Sequence, residues 1–214
     1  MAWVNSSAKT ISWKTVHLLT EESVTAILLV LFLVLATAFS IREHDPPRAL
    51  SAAAAPEVFS AGRAVQHLPA IAEQPHPIGS TGHRVVQEYL MKQLAAAGVE
   101  PQIQSATVVV GQRAPMQVVA IENIVARLKG TTTGKAVLLA AHYDSVVNSF
   151  GASDNGTAVA SLLETLRALK AGPPLKNDVI FLFTDAEENG RSGARAFVSE
   201  HPWSKDVGVA LNFD

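Results

Sequence analysis

Two apolar runs, each ending in acidic or imidazole side chains, constrain this chain more than any other feature. Ala136–Val137–Leu138–Leu139–Ala140–Ala141 leads into His142–Tyr143–Asp144, and Val179–Ile180–Phe181–Leu182–Phe183–Thr184 leads into Asp185–Ala186–Glu187–Glu188. Near-continuous apolar runs of this length read as strands buried on both faces, the habit of parallel sheets covered by helices. Between them, the segment after Gly151 opens a helical period through Val159, Leu162, Leu163 and Leu166, closed by Gly172–Pro173–Pro174. Strand, helix and strand in that order imply a crossover unit, with the polar groups at the carboxyl edge of the sheet, where open α/β sheets keep their chemistry. A short helix at Ser192–Glu200 and a last strand, Val207–Phe213, continue the pattern. The expected fold class is therefore α/β, with a largely parallel central sheet and flanking helices. The last strand ends at Asp214 with nothing after it to cover its faces, so a truncated domain is expected.

The amino-terminal half is less regular. From Ser23 to Ile41 no residue is charged, and Ala26 to Leu35 is continuously apolar. Such a run can cross the roughly 30 Å hydrocarbon layer as a helix. The competing reading is a secretory signal, with Ala36–Thr37–Ala38 as its cleavage site, but the polar lead from Met1 to Glu22 is long for that and the apolar run exceeds a usual signal core. One transmembrane helix over 23–41 is expected, after a polar segment 1–22 and before a Pro- and Ala-rich linker 42–56. Lys9 and Lys14 on one side balance Arg42 and Arg48 on the other, so flanking charge leaves orientation open. Beyond the linker, a helical spacing runs from Glu57 to Ile71. Gln74–Pro75–His76–Pro77–Ile78–Gly79–Ser80 then breaks regular structure. Thr81 serves as N-cap to a helix ended by Gly98, and strands follow at 102–110 and 118–127.

The chain has no cysteine, so a zinc site here must draw on histidine and carboxylates. The net charge of −2 gives no footing for nucleic acid as a partner. His142 and Asp144, two apart at a strand end, project to one side. A zinc-ligating imidazole needs its second nitrogen held by an acceptor, a task within reach of Asp144. Asp154, before the helix, is either an N-cap or a carboxylate placed to bridge cations. Glu187 and Glu188 repel each other unless a cation lies near. With one on metal, the other is free as a general base; the plainer reading is a solvated acidic turn. Asp214 ends a third strand at the same edge. His142, Asp154, Glu188 and Asp214 together form an oxygen-plus-imidazole set that suits zinc. Gly130–Thr131–Thr132–Thr133–Gly134–Lys135 superficially resembles a phosphate-binding loop, but it has one residue too few and leads into a strand, so it is read as a turn. His67, His76 and His83 are read as local structural or surface residues.

The combination His142–Tyr143–Asp144–Ser145, Ser153–Asp154–Asn155–Gly156, Thr184–Asp185–Ala186–Glu187–Glu188–Asn189–Gly190 and Asn212–Phe213–Asp214 resembles the M28 family of co-catalytic zinc aminopeptidases. With the 74–80 motif behind an apolar helix, it is similar to the membrane-anchored, endoplasmic-reticulum metallopeptidase branch. The resemblance covers 57–214 and implies a zinc exopeptidase, phosphorylase/hydrolase-like fold acting on peptides through a metal-bridging water. By position, it implies that His142 and Asp214 bind one zinc and Glu188 the other, that Asp154 bridges them, that Glu187 is the general base and that Asp144 orients His142. It also implies a cis peptide at Asp154–Asn155 and a domain outside the cytoplasm. The family takes a second-zinc histidine from a later loop, and no histidine follows Asp214. Two alternatives remain: glutaminyl cyclisation on the same fold, and a truncated non-catalytic domain. Oligomeric state and side-chain specificity are not readable.

Overall fold

In a computed structural model of the chain, residues 20–44, 46–110 and 117–214 are described. The polar lead with Lys9 and Lys14, and Asp45 of the expected linker, lie outside them. The chain divides into two units, Met1–Arg48 and Ala49–Asp214.

The described part of the first unit is one helix, α1 (Glu21–Glu43). Thr20 caps it, accepting from the Ser23 amide at 3.2 Å, and Glu21 and Glu22 sit in the first turn, where the helix dipole favours negative charge. Arg42 occupies the last turn, the favourable end for a cation. At about 1.5 Å per residue its 23 residues span about 34 Å. By length and composition it is long and apolar enough to cross a membrane.

The second unit begins with a broken helical stretch, α2 (Ala61–Ala64), a 3-10 turn (Val65–His67) and α3 (Leu68–Ile71), followed by α4 (Thr81–Ala96). The residue capping α4 is Ser80 rather than Thr81: its side chain accepts from the His83 amide at 3.0 Å, and its extended backbone is the N-cap conformation. Then come β1 (Gln102–Val110), β2 (Gln117–Leu128), β3 (Ala136–His142), α5 (Thr157–Ala171), β4 (Val179–Thr184), α6 (Ser192–Glu200) and β5 (Val207–Asn212).

The five strands form one sheet in the order β1-β2-β4-β3-β5. β3 pairs in parallel with both β4 and β5, whereas β2 runs antiparallel to β4 and β1 antiparallel to β2. The sheet is thus mixed. Its parallel part is the portion built by helical crossovers through α5 and α6. β1 and β2 are joined through residues 111–116 alone and pair as neighbours, which only an antiparallel arrangement allows over so short a connection. Alternate side chains of β3 and β4 serve opposite faces. Leu139, Ala141, Phe181 and Phe183 pack with Leu90 and Leu94 of α4 and Leu162 and Leu166 of α5. Leu138, Ala140, Ile180 and Leu182 pack with Phe197 of α6. Every residue of β4 is buried, which explains why it reads as an unbroken apolar run.

Register brings the functional ends together. His142 pairs with Thr184, and Ala140 pairs with Asn212, so Asp144, Asp185 and Asp214 all follow strands that end at one edge.

Although composition suggests a linker through Pro56, the chain is already fastened from Leu50. Arg63 donates to the carbonyls of Ala52, Ala54, Ala55 and Val58, and Arg167 to those of Pro56 and Val58. Glu164, buried on α5, holds both arginines, with Arg63 Nε at 3.0 Å and Arg167 Nε at 2.6 Å, and also accepts from the Ser60 amide at 2.9 Å. Burial opposes the charge on Glu164, but these donors outweigh it and hold its pKa below the ordinary carboxylate value. Its contribution to stability is therefore present above the unfolded carboxylate pKa and is lost as pH falls through the lower, folded one. Glu164→Ala is expected to cost about 3 kcal/mol, because two arginines lose a shared buried partner. Urea denaturation at neutral pH checks this, and a loss below about 1 kcal/mol would show the cluster to be incidental.

Candidate metal centre

The site is built where β3, β4, β5 and the turn before α5 end together. His142 is buried at the last position of β3. Its Nδ1 lies 3.0 Å from the backbone carbonyl of Asp144, to which Nδ1–H donates, and this turns Nε2 toward the site. That Nε2 faces two carboxylates, Asp154 Oδ1 at 3.0 Å and Asp214 Oδ1 at 3.5 Å. One ligand atom each from His142, Asp154 and Asp214 lie within 4.8 Å of one another.

Asp154 is not a helix cap. It stands in a one-turn π-type segment, Ala152–Gly156, with non-helical φ −116° and ψ 94°, and α5 has no side-chain cap. The Asp154–Asn155 peptide is cis. Gly151 enters this turn at φ 64°, a left-handed conformation that favours glycine, and a Cβ there would crowd the His76 ring and the Ser145 side chain. Asn155 Nδ2 donates to the Phe213 carbonyl at 2.8 Å, fixing the turn against the end of β5 beside Asp214.

Asp144 lies under the site, fully buried. Its Oδ1 is 3.4 Å from His142 Nδ1, farther than its own carbonyl. Its carboxylate instead accepts from the Glu187 amide at 3.0 Å and the Glu188 amide at 3.3 Å, so it ties the end of β3 to the acidic turn. Glu187 is half-buried, with Arg191 Nε 3.3 Å from its Oε1. It lines one cavity of about 510 Å³ together with His142, Arg191, Phe197, Leu211 and Asp214. Glu188 stands outside the three-residue cluster. Desolvation first, then the charges of Asp154, Asp144 and Glu187, raise its pKa, with His142 pulling the other way.

Electrostatics supply the test of whether these residues fit a metal. Burial disfavours a charged His142, yet the neighbouring Asp144 and Asp154 outweigh it and lift the imidazole to about 9. The converging carboxylates call for positive charge at Nε2. Two carboxylate oxygens and one imidazole nitrogen, with open space beside them, make the donor set of a catalytic zinc: three protein ligands and a free position. The fit is to one ion. Glu188, expected on a second, does not join the cluster formed by the described residues.

His83, read from sequence as structural or surface, is buried and bonds Asp185 Oδ1 through Nε2 at 2.8 Å, stacking on Tyr143. Asp185 and Asn123 are polar groups of this region that sequence reasoning left without a role, because their partners lie dozens of residues away. His76 is pinned to Ser145, which both bonds its amide and donates to its carbonyl, and His67 bonds the Tyr89 hydroxyl. Gly130–Gly134 is a loop held by Asp178 and Lys176, as read.

Comparison with known proteins places this geometry. Residues 123–214 match the model of Peptidase family M28. The vacuolar membrane protease of Candida albicans is 38% identical over 145 residues, covering 67% of this chain and 17% of that protein. Endoplasmic reticulum metallopeptidase 1 of Rattus norvegicus is 42% identical over 96 residues, 44% of this chain and 11% of that protein. The chain thus spans less than a fifth of the length of these curated relatives. Among solved structures, a glutaminyl cyclase of Porphyromonas gingivalis superposes with a TM-score of 0.65 at 25% identity, over 73% of this chain and 59% of that one. A Zn-dependent exopeptidase of Parabacteroides distasonis gives 0.64 at 21% identity, over 75% and 63%, a likeness of fold. Through residues 123–214, with His142, Asp154, Glu187, Glu188 and Asp214 among them, the chain belongs to peptidase family M28.

Proposed function

We propose that this chain carries the metal-binding residues of a membrane-attached, zinc-dependent aminopeptidase. The observation that carries the reading is the convergence of His142 Nε2, Asp154 and Asp214, with Glu187 lining the same cavity. His142, Asp154 and Asp214 would hold zinc, Glu188 would serve a second ion beside Asp154, and Asp144 would fix the turn that follows. Zinc bound there supplies a Lewis acid that polarises a peptide carbonyl and makes water more acidic. Glu187 accepts the proton from the attacking water and returns it to the leaving amine, the two transfers a general base–acid makes in turn. The buried Asp144 carbonyl keeps His142 in the Nδ1–H tautomer, so its ligating nitrogen stays unprotonated at work.

The M28 match and the names of the relatives support peptide hydrolysis, and the relatives' names, together with α1, support attachment to a membrane. The substrate would be a peptide with a free amino terminus, and the domain would face away from the cytoplasm. Zinc-loaded protein is expected to release p-nitroaniline from aminoacyl p-nitroanilides and to spare their N-acetyl forms. Equal turnover of both would exclude an aminopeptidase.

The glutaminyl cyclase likeness supports a second reading, in which the substrate's own amine attacks in place of water. A peptide beginning with glutamine separates the two: free glutamine supports hydrolysis, and a pyroglutamyl peptide supports cyclisation. A chain that binds no metal at micromolar zinc would sink both and leave a non-catalytic domain.

A further inference from the structure

Four successive backbone amides of the turn that carries the acidic pair are each taken up by a side-chain oxygen. The Asp185 amide donates to Asn123 Oδ1 at 2.9 Å, the Ala186 amide to Asp185 Oδ1 at 2.8 Å, the Glu187 amide to Asp144 Oδ1 at 3.0 Å and the Glu188 amide to Asp144 Oδ2 at 3.3 Å. All three acceptor residues are buried, with exposures of 0–1%. The turn is not one the backbone adopts for itself: Ala186 sits at φ 53°, a left-handed conformation uncommon for a residue with a Cβ.

Two of the acceptors, Asn123 and Asp185, are themselves fixed from elsewhere. Asn123 donates to the Gly193 carbonyl at 2.8 Å and to Gln104 Oε1 at 3.0 Å. Asp185 accepts from His83 Nε2 and from the Glu122 amide, both at 2.8 Å. Gly193 sits so tightly against Asn123 Oδ1 and the Asp185 carbonyl that a Cβ would not fit. The start of α6 therefore closes on the same turn. β2, α4 and α6 thus contribute buried polar groups to one short segment and none to the metal cluster itself.

We propose that Asp185 and Asn123, with His83 behind Asp185, are positioning residues that set the pose of Glu187 toward the reacting atoms. This rests on the reading of Glu187 as the general base. A base is effective only within hydrogen-bond reach of the proton it takes, so a turn free to shift by an ångström would forfeit much of that gain. Buried networks satisfied at every member are the devices that hold such geometry.

The test uses the zinc-loaded 214-residue chain and its Asp185→Asn and Asn123→Leu variants. Asparagine keeps the shape of Asp185 but accepts through one oxygen, so at least one of its three donors faces an NH₂ group. Expected are a fall in kcat of about 10–100-fold, the cost typical of losing a supporting partner, with KM within about twofold and zinc content unchanged. Amide hydrogen exchange at 186–188 should quicken by about tenfold or more in the same variants, as local opening becomes easier. Folded variants with wild-type kcat and wild-type exchange would overturn the proposal. So would a lowered melting temperature with kcat unchanged, which would assign the network to stability alone. Should Asp185→Asn not fold, His83→Leu, which removes one donor and no backbone contact, is read by the same criteria. Absence of turnover in the unsubstituted chain would bear only on the peptidase reading, because the exchange comparison still decides whether these residues hold the turn.

Discussion

Glu187→Gln is expected to lower kcat by about 10²–10⁴-fold, the range over which a positioned general base contributes. The substitution keeps the side chain's length and leaves the Glu187 amide on Asp144, so the turn should keep its place. Glu187 is not one of the three clustered ligand residues, and its Oε1 pairs with the exposed Arg191. Zinc content should therefore stay at the wild-type value while turnover falls. Loss of zinc along with activity would make Glu187 a ligand and send the search for the base elsewhere, with Glu188 the first candidate. Full activity in the variant would end the general-base assignment outright.

The second large effect is expected at His142, the nitrogen donor of the cluster. His142→Ala leaves two carboxylates without a nitrogen donor and should weaken zinc binding by more than 100-fold, beyond the roughly 10–100-fold that a supporting partner is worth. A thermal shift reads this without any substrate. Zinc at about a hundred times its dissociation constant stabilises the native protein by about 2.7 kcal/mol, and His142→Ala should show no such rise at the same concentration. Asp144→Asn offers the contrast: it keeps the backbone carbonyl that Nδ1 uses and should retain most of the shift. A His142→Ala protein stabilised by zinc as well as the wild type would place the ion elsewhere.

Much of the fold was legible because it is written in local patterns. β3 and β4 read as apolar runs because both their faces are covered, and α4 and α5 because their apolar residues recur at helical spacing between glycines. The cluster of His142, Asp154 and Asp214 was likewise legible, because each residue stands at the end of such an element. What escaped lies in long-range pairing. Nothing near Gln117–Leu128 announces that it runs against β4, since strand direction is settled by connections rather than by composition. Asp154 has the credentials of an N-cap and does not act as one, because the backbone at that point is not helical. His83 and Asp185 are 102 positions apart, and no periodicity joins them. The resemblance implies that Asp144 orients His142; its backbone carbonyl lies 3.0 Å from Nδ1, while the shorter bonds of its carboxylate run across to the next strand's turn, a pairing that sequence does not display.

The carbonyl-clamping arginines bear on how this domain can be handled in practice. A soluble fragment begun at Glu57 would discard Leu50 to Pro56, the residues whose carbonyls receive Ser60 Oγ, the Gly62 amide, Arg63 and one arm of Arg167. Both guanidinium groups would then keep Glu164, but Arg63 would lose three of its four carbonyl acceptors and Arg167 one of its two. A fragment begun at Ala49 retains all of them. The useful scissors point is thus the short stretch before Ala49, and a protease probing the intact protein should find its cut there sooner than among the alanines that follow.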